Sequence, residues 1–184
     1  MYEYLDKIME QGFSGVYLDV VDAFEYWGNP DNAEDLHLSE EEAAKRMITF
    51  LKEIAHYCRD VKGKGDFYII PQSGERILGY DTDGSYLRTI SGIGTESLWY
   101  RGLSLNPIEE TNIRMPYLDR VLQAGKPVLL VEYVDDGSGY HNGNKQRIDD
   151  YRARAFAKGL IPYVGRSDRQ LDELNIIKGV QPWE

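Results

Sequence analysis

Cysteine is almost missing from this chain: Cys58 stands alone. A single thiol excludes an intrachain disulfide framework, and on the apolar face of a helical stretch it reads as a buried packing residue. There is no CxxC pair, and His37, His56 and His141 are scattered. A metal site therefore has no ligand set to build on, and none is expected. Long apolar runs are absent too, so no segment has the length of a membrane span. The N-terminal Met1-Tyr-Glu-Tyr-Leu-Asp6 has neither the basic nor the apolar stretch of a secretory signal. Positive charge is in deficit, with 21 basic residues against 31 acidic ones and a formal charge of -10. Such a surface repels phosphate backbones and argues against nucleic acid as a partner. No glycine-rich phosphate loop is present either, because Gly63-Lys-Gly65 precedes a strand instead of opening a helix after one. No cofactor is expected.

What the chain does have is length, 184 residues, and an alternation of helical and extended patterns. That is enough for one domain with a real core, and the whole of 1–184 reads as one. Residues 2–11 fit a short helix closed by Gly12, and Gly15 to Val21 a strand. Residues 23–38 read as a long loop, and loops of that length inside a compact domain are often functional. Ser39 and Glu42 form a capping box. They open a helix whose apolar stripe, Ala44, Met47, Ile48, Leu51, Ile54, Ala55 and Cys58, has helical period. Further strands are expected at Phe67–Gln72, near Ile90–Gly94, at Val128–Val134 and at Leu160–Val164. Between them the pattern gives a short helix around Gly74–Leu78 and a polar loop over Asp81–Gly84. A helix over Glu109–Ala124 follows, disturbed in its first half by Pro116, and another over Lys145–Lys158. The loop Asp135–Asn144 is rich in glycine.

About five strands alternating with helices imply a parallel sheet with right-handed crossovers. Periodicity leaves two architectures open: a doubly wound open sheet, and a (β/α)8 barrel that would be incomplete, since a closed one needs roughly 250 residues. In either, parallel strands gather their C-terminal ends on one rim. Three strand-like runs here end in carboxylates: Gly15 to Asp19 and Asp22, Ile90 to Glu96, and Val128 to Glu132 and Asp135. Acids converging on one rim suggest an enzyme that works with paired carboxylates.

Several segments together resemble a known family. Gly12-Phe-Ser-Gly-Val-Tyr-Leu-Asp19-Val-Val-Asp22-Ala-Phe-Glu-Tyr-Trp27 is similar to the fourth-strand motif of the polygalactosaminidase-like glycoside hydrolases. Phe67 to Glu75, Ile93 to Tyr100, Lys126 to Tyr133 and Gly159 to Arg166 fit the same family in order. The resemblance implies a partial (β/α)8 barrel of about five parallel strands, equivalent to strands four to eight, with the first three βα units not in this chain. It implies an extracellular setting and a polysaccharide or oligosaccharide substrate, α-linked and perhaps built of amino sugars. It also implies an open half barrel that self-associates or takes up a missing N-terminal half, because two sheet edges and an apolar inner face stay uncovered. The motifs depart from the polygalactosaminidase branch, which carries asparagine-rich versions where Leu18-Asp-Val-Val and Gly94-Thr-Glu-Ser stand here.

On this resemblance Asp19 is the candidate nucleophile and Glu96 the acid/base, the latter flanked by Trp99 and Tyr100, apolar neighbours of the kind a general acid requires. The plainer readings are an Asp that caps a turn and a Glu in a surface loop. Asp22 is expected to bind sugar hydroxyls beside Asp19. Glu132 is either a third rim acid or turned toward a helix. Tyr17, Gln72, Tyr133 and Arg166 are candidate lining residues with Trp99 and Tyr100, while Tyr26 and Trp27 either stack on a sugar or plug the fold. The competing function, from another class, is a catalytically silent carbohydrate-binding or scaffold module.

Overall fold

The computed structural model describes residues 1–32 and 38–181. Residues 33–37 of the expected 23–38 loop, His37 among them, lie outside the described residues. The chain divides into two compact units, Met1–Ile93 and Gly94–Glu184. Among the described residues no helix is long and apolar enough to cross a membrane.

In the first unit, helix α1 (Tyr2–Glu10) turns at Gly12, whose φ of +86° needs a glycine, into strand β1 (Gly15–Leu18). Helix α2 (Ala23–Trp27) follows, where the sequence reading had only loop. A five-residue helix shows no periodic face, so its pattern is invisible. Helix α3 (Glu40–His56) opens on the expected capping box: Ser39 Oγ accepts the Glu42 N–H at 3.2 Å, and Glu42 accepts the Ser39 N–H at 2.9 Å. The helix continues as a π-helical turn, Tyr57–Val61. Its stripe buries Ile54, Ala55 and Cys58 against Leu5, Phe67 and Ile69. Each fully buried large aliphatic side chain there stabilises by roughly 1.5–3 kcal/mol. Strand β2 (Tyr68–Pro71) pairs in parallel with β1, Gly15 opposite Tyr68 through Leu18 opposite Pro71. A 3₁₀ turn (Glu75–Gly79) and helix α4 (Ser85–Thr89) close the unit. Asp81 caps α4, its two oxygens accepting the N–H groups of Tyr86 and Leu87, both at 2.9 Å.

Strand β3 (Ile93–Glu96) leads the second unit into a hairpin of β4 (Tyr100–Arg101) and β5 (Ser104–Leu105) that the sequence reading did not anticipate. Helix α5 (Ile108–Gln123), strand β6 (Val128–Asp135), helix α6 (Asn142–Ala157) and strand β7 (Ile161–Arg166) follow. Pro116 sits inside α5 without ending it, because burial of Met115, Leu118 and Val121 outweighs the hydrogen bond a proline removes. The sheet order is β3-β6-β7. Strands β6 and β7 run parallel, Leu129 opposite Ile161 through Glu132 opposite Val164, then Asp135 opposite Arg166 after an irregularity in the ladder. Tyr151, fully buried on α6, donates to the Leu130 carbonyl at 2.6 Å and accepts from the Tyr163 N–H at 3.1 Å, tying helix to sheet. Parallel strands alternating with helices make this the α/β class that the sequence implies.

Candidate active site

In the first unit, pairing of the two strands runs past their ends. The Gln72 N–H donates to the Leu18 carbonyl at 2.7 Å and the Val21 N–H to that of Gln72 at 3.3 Å. Tyr17 and Gln72 are joined across the two strands by a side-chain hydrogen bond. Asp19 follows β1 at the exposed rim, and its Oδ1 accepts the N–H of Val20 at 2.8 Å. Val20 has φ +59°, a left-handed conformation that a β-branched residue takes up only under constraint. The same occurs after two further strand ends: Ser73, following Gln72, has φ +63°, and Ser97, following Glu96, has φ +52°. Each costs of order 1–3 kcal/mol, and strain of this kind concentrates at functional sites.

Gly74 continues the turn at φ +72°, packed so closely that a Cβ would stand 2.9 Å from the Asp22 nitrogen. Beyond it Glu75 is 4% exposed, a buried carboxylate that the sequence reading did not single out. Its signal was readable: Glu75 stands three residues after Gln72 as Asp22 stands three after Asp19, on neighbouring strands in register. Asp22, Glu25, Tyr26, Trp27, Glu40 and Arg76 line an open cleft of about 860 Å³. Arg76 bridges Glu25 at 3.1 Å and Glu40 at 3.2 Å. Burial pushes the Glu25 carboxyl up against the pull of Arg76, with Glu40, Asp22 and Glu75 adding repulsion. Tyr26 and Trp27 meet edge to face, ring centres 5.2 Å apart, and both stay about half exposed at the cleft.

In the second unit Glu96 ends β3. Its Oε2 accepts from Tyr133 Oη at 2.6 Å and its Oε1 pairs with Arg169 at 3.1 Å, whose guanidinium also lies 4.5 Å from the centre of the Tyr133 ring. Burial first, and then the bond to Glu96, push the Tyr133 phenol above its ordinary range. The backbone that follows is held from all sides. Arg114 donates to the carbonyls of Ser97 and Glu96, both at 3.1 Å, Asn106 to that of Ser97 at 2.8 Å, and Thr111 to that of Leu98 at 2.8 Å. Glu132 takes the amides: its oxygens accept the N–H groups of Trp99 at 2.7 Å and Tyr100 at 3.3 Å. It is wholly buried, which raises its carboxyl to about 7, while the hydrogen bonds from the Trp99, Leu98 and Tyr100 amides and the charge of Arg114 pull the other way. Glu132, expected either as a third rim acid or turned toward a helix, is enclosed against the backbone amides that follow Glu96. Trp99 and Tyr100 are also buried, Trp99 against Tyr151 and Tyr100 with its hydroxyl on Asp150 at 2.5 Å. Arg166 ends β7 opposite Asp135. Among the described residues no three His, Cys, Asp or Glu cluster as metal ligands.

Rim carboxylates on parallel strands, with aromatic side chains beside them, are the furniture of a glycoside hydrolase. The chain belongs to glycoside-hydrolase family GH114, whose family model matches residues 1–180. An uncharacterised protein of Methanocaldococcus jannaschii is 50% identical over 175 residues, covering 95% of this chain and 48% of its own length. One from Thermotoga maritima is 47% identical over 186 residues, covering 100% of this chain and 54% of its own length. The chain thus spans about half the length of the curated relatives it matches. The glycoside hydrolase domain of PelA from Pseudomonas aeruginosa superposes with a TM-score of 0.64 at 20% identity, covering 95% of this chain and 61% of that one. The Bacillus subtilis mannanase BCman gives a TM-score of 0.51 at 14% identity, over 96% of this chain and 48% of that one. These likenesses fix the fold as part of a (β/α)8 barrel of the glycoside hydrolase kind.

Proposed function

We propose that this chain carries the catalytic carboxylates of a retaining glycoside hydrolase that cleaves an α-linked, amino-sugar-containing polysaccharide outside the cell. Asp19 is the nucleophile and Glu96 the acid/base. An Asp19 oxygen attacks the anomeric carbon as the glycosidic C–O bond breaks, and the Glu96 proton passes to the leaving oxygen. Water then gives a proton to Glu96 and attacks the same carbon, releasing Asp19. The observation that carries this reading is the strained, left-handed residue directly after each of Asp19, Gln72 and Glu96. Tyr17, Gln72, Asp22, Tyr26 and Arg166 would bind the sugar, and Tyr133, itself enclosed, would hold Glu96. Glu132, Trp99 and Tyr100, enclosed as they are, support the Glu96 turn rather than touch substrate.

Burial favours a second reading of the acid/base. Glu75 is a second buried carboxyl, in the 3₁₀ turn that follows β2, the strand paired with β1. In both readings residues 1–184 serve as a single domain. Strand β1 pairs on one side only among the described residues, beside an apolar hollow of about 700 Å³ lined by Tyr4, Phe13, Val16 and Phe50. That edge would take a second copy or the N-terminal barrel half.

The test is hydrolysis of partly deacetylated galactosaminoglycan, which offers both N-acetylated and free-amine rings, by the wild type, Asp19→Asn, Glu96→Gln and Glu75→Gln. Asp19→Asn should lose turnover with its melting temperature kept. Of the two glutamine variants, the acid/base one should fall by about 10²–10⁴-fold. Turnover by Asp19→Asn would end the assignment, and a wild type that binds oligosaccharide without cleaving it would mark a silent binding module.

A further inference from the structure

A second cavity, of about 250 Å³, opens in the second unit at the C-terminal ends of β6 and β7. Asp135, Arg166 and Asn175 form its polar side, and Ile148 and Ile177 part of its apolar side. Neither Asp19 nor Glu96 lines it.

Its polar groups are set in advance. Asp135, 5% exposed, accepts from Asn144 Nδ2 at 2.7 Å, the Gly137 N–H at 2.9 Å and Asn175 Nδ2 at 3.0 Å. A carboxylate has about four acceptor positions, so one remains for a ligand. These donors, with the charge of Arg166, outweigh burial and hold the Asp135 carboxyl below its ordinary range. Arg166 stands opposite Asp135 on the ladder, and no described residue hydrogen-bonds or ion-pairs with its guanidinium. Its place is kept by a glycine: a Cβ on Gly137, at φ +80°, would fall 2.1 Å from Arg166 Nη2. The loop after β6 is thus shaped around a fork of donors with no hydrogen-bond partner among the described residues, beside a fixed acceptor. A second cation, Lys178, also lines the space.

We propose that this cavity is a sugar subsite distinct from the cleavage carboxylates, taking one uncharged pyranose ring, neutral or N-acylated, and disfavouring a ring that carries a free ammonium. Arg166 donates to ring hydroxyl or amide oxygens, Asp135 accepts from a neighbouring hydroxyl, and Ile176, 70% exposed at the cavity, meets the C–H face. Two cations against one carboxylate leave the lining net positive, which opposes an ammonium. The volume is that of about eight water molecules, room for a monosaccharide of about a dozen heavy atoms. The inference rests on the glycoside hydrolase reading and names a class of sugar ring that such an enzyme would hold.

Galactose, N-acetylgalactosamine and galactosamine are titrated separately into the protein at pH 7, with calorimetry for affinity and amide chemical shifts of Gly137 and Asn144 for location. Galactose and N-acetylgalactosamine should bind with millimolar constants, and galactosamine at least about fivefold more weakly. Arg166→Met should weaken the two neutral sugars by about tenfold or more, its melting curve reporting that it is folded. Gly137→Ala should act in the same direction by displacing the guanidinium. Saturable binding of none of the three, galactosamine binding tightest, or undiminished affinity in a folded Arg166→Met would each overturn the proposal. The readout is binding, so absence of hydrolysis bears on the catalytic reading and not on this pocket.

Discussion

Glu132 accepts a 2.7 Å hydrogen bond from the backbone N–H of Trp99 while it is wholly shut off from water. A buried acid anchors the turn that immediately follows Glu96, and the anchor has an electrostatic cost. Burial lifts its carboxyl from the ordinary 4.5 to about 7 even though amide donors oppose the shift. The fold therefore binds a proton at Glu132 more readily than the unfolded chain does. Its contribution to stability is complete below about pH 4.5 and is lost as the pH rises toward and through about 7. Over that window the loss amounts to about 3 kcal/mol.

Glu132→Gln removes this titration. At low pH the variant should be less stable than the wild type by about 1–3 kcal/mol, because an amide NH₂ would face a backbone N–H. The gap should narrow as the pH rises from 4.5 to 8. Urea unfolding of both proteins across that range measures it, and parallel stability curves would show that Glu132 does not titrate there.

Gly74 and Gly12 make a matched pair. Both are left-handed, at φ +72° and +86°, but the space around Gly12 is open while a Cβ on Gly74 would press on Asp22. Gly12→Ala should cost about 1 kcal/mol, the conformational share alone. Gly74→Ala should cost clearly more and shift the Asp22 amide resonance, since two strand-end turns would have to separate. Equal losses for the two would show that the close approach carries no energy.

Arg114 reaches three acceptors on the Glu96 turn: Thr95 Oγ1 at 2.6 Å and the carbonyls of Glu96 and Ser97, both at 3.1 Å. Removing a charged donor from partly buried acceptors costs about 1.5–3 kcal/mol for a single bond, so Arg114→Met should lose about 3 kcal/mol or more. Arg114→Lys should recover less than half, because an ammonium cannot span the three acceptors as a planar fork does. Chemical denaturation of the three proteins gives the numbers.

Much of this scaffold is legible in the sequence. Ser39 and Glu42 announce the start of α3, the stripe through Cys58 gives its buried face, and the runs ending at Asp19, Gln72 and Glu96 give three strand ends. What stays hidden has physical reasons. Helices α2 and α4, five residues each, are too short to show a period and are set by local caps such as Asp81. Glu132 keeps the alternation of Val128 and Leu130, but only the fold shows that this face of β6 is enclosed, and the irregularity that follows breaks the alternation. The same break leaves Glu132, Tyr133, Val134 and Asp135 all buried in succession. Glu75 escaped notice because it lies in a turn, where only the register of β1 with β2 reveals its parallel with Asp22.

Tyr133 separates the two readings of the acid/base. Its hydroxyl holds Glu96 at 2.6 Å, and its ring also carries the guanidinium of Arg169, the other partner of that carboxylate. Tyr133→Phe removes only the first contact: the ring stays, so Arg169 keeps its seat and Glu96 one of its two anchors. The cost in stability should be about 1 kcal/mol, that of one hydrogen bond. The kinetic cost depends on which carboxylate moves the proton. With Glu96 in that role, one loosened carboxyl should lower kcat by about tenfold or more while KM changes little, since positioning acts on the transition state. With Glu75 in that role, kcat should stay close to the wild-type value. The Arg169→Met variant completes a double-mutant cycle. A Tyr133–Arg169 coupling in kcat larger than their coupling in stability would assign the proton to Glu96, and equal couplings would pass it to Glu75.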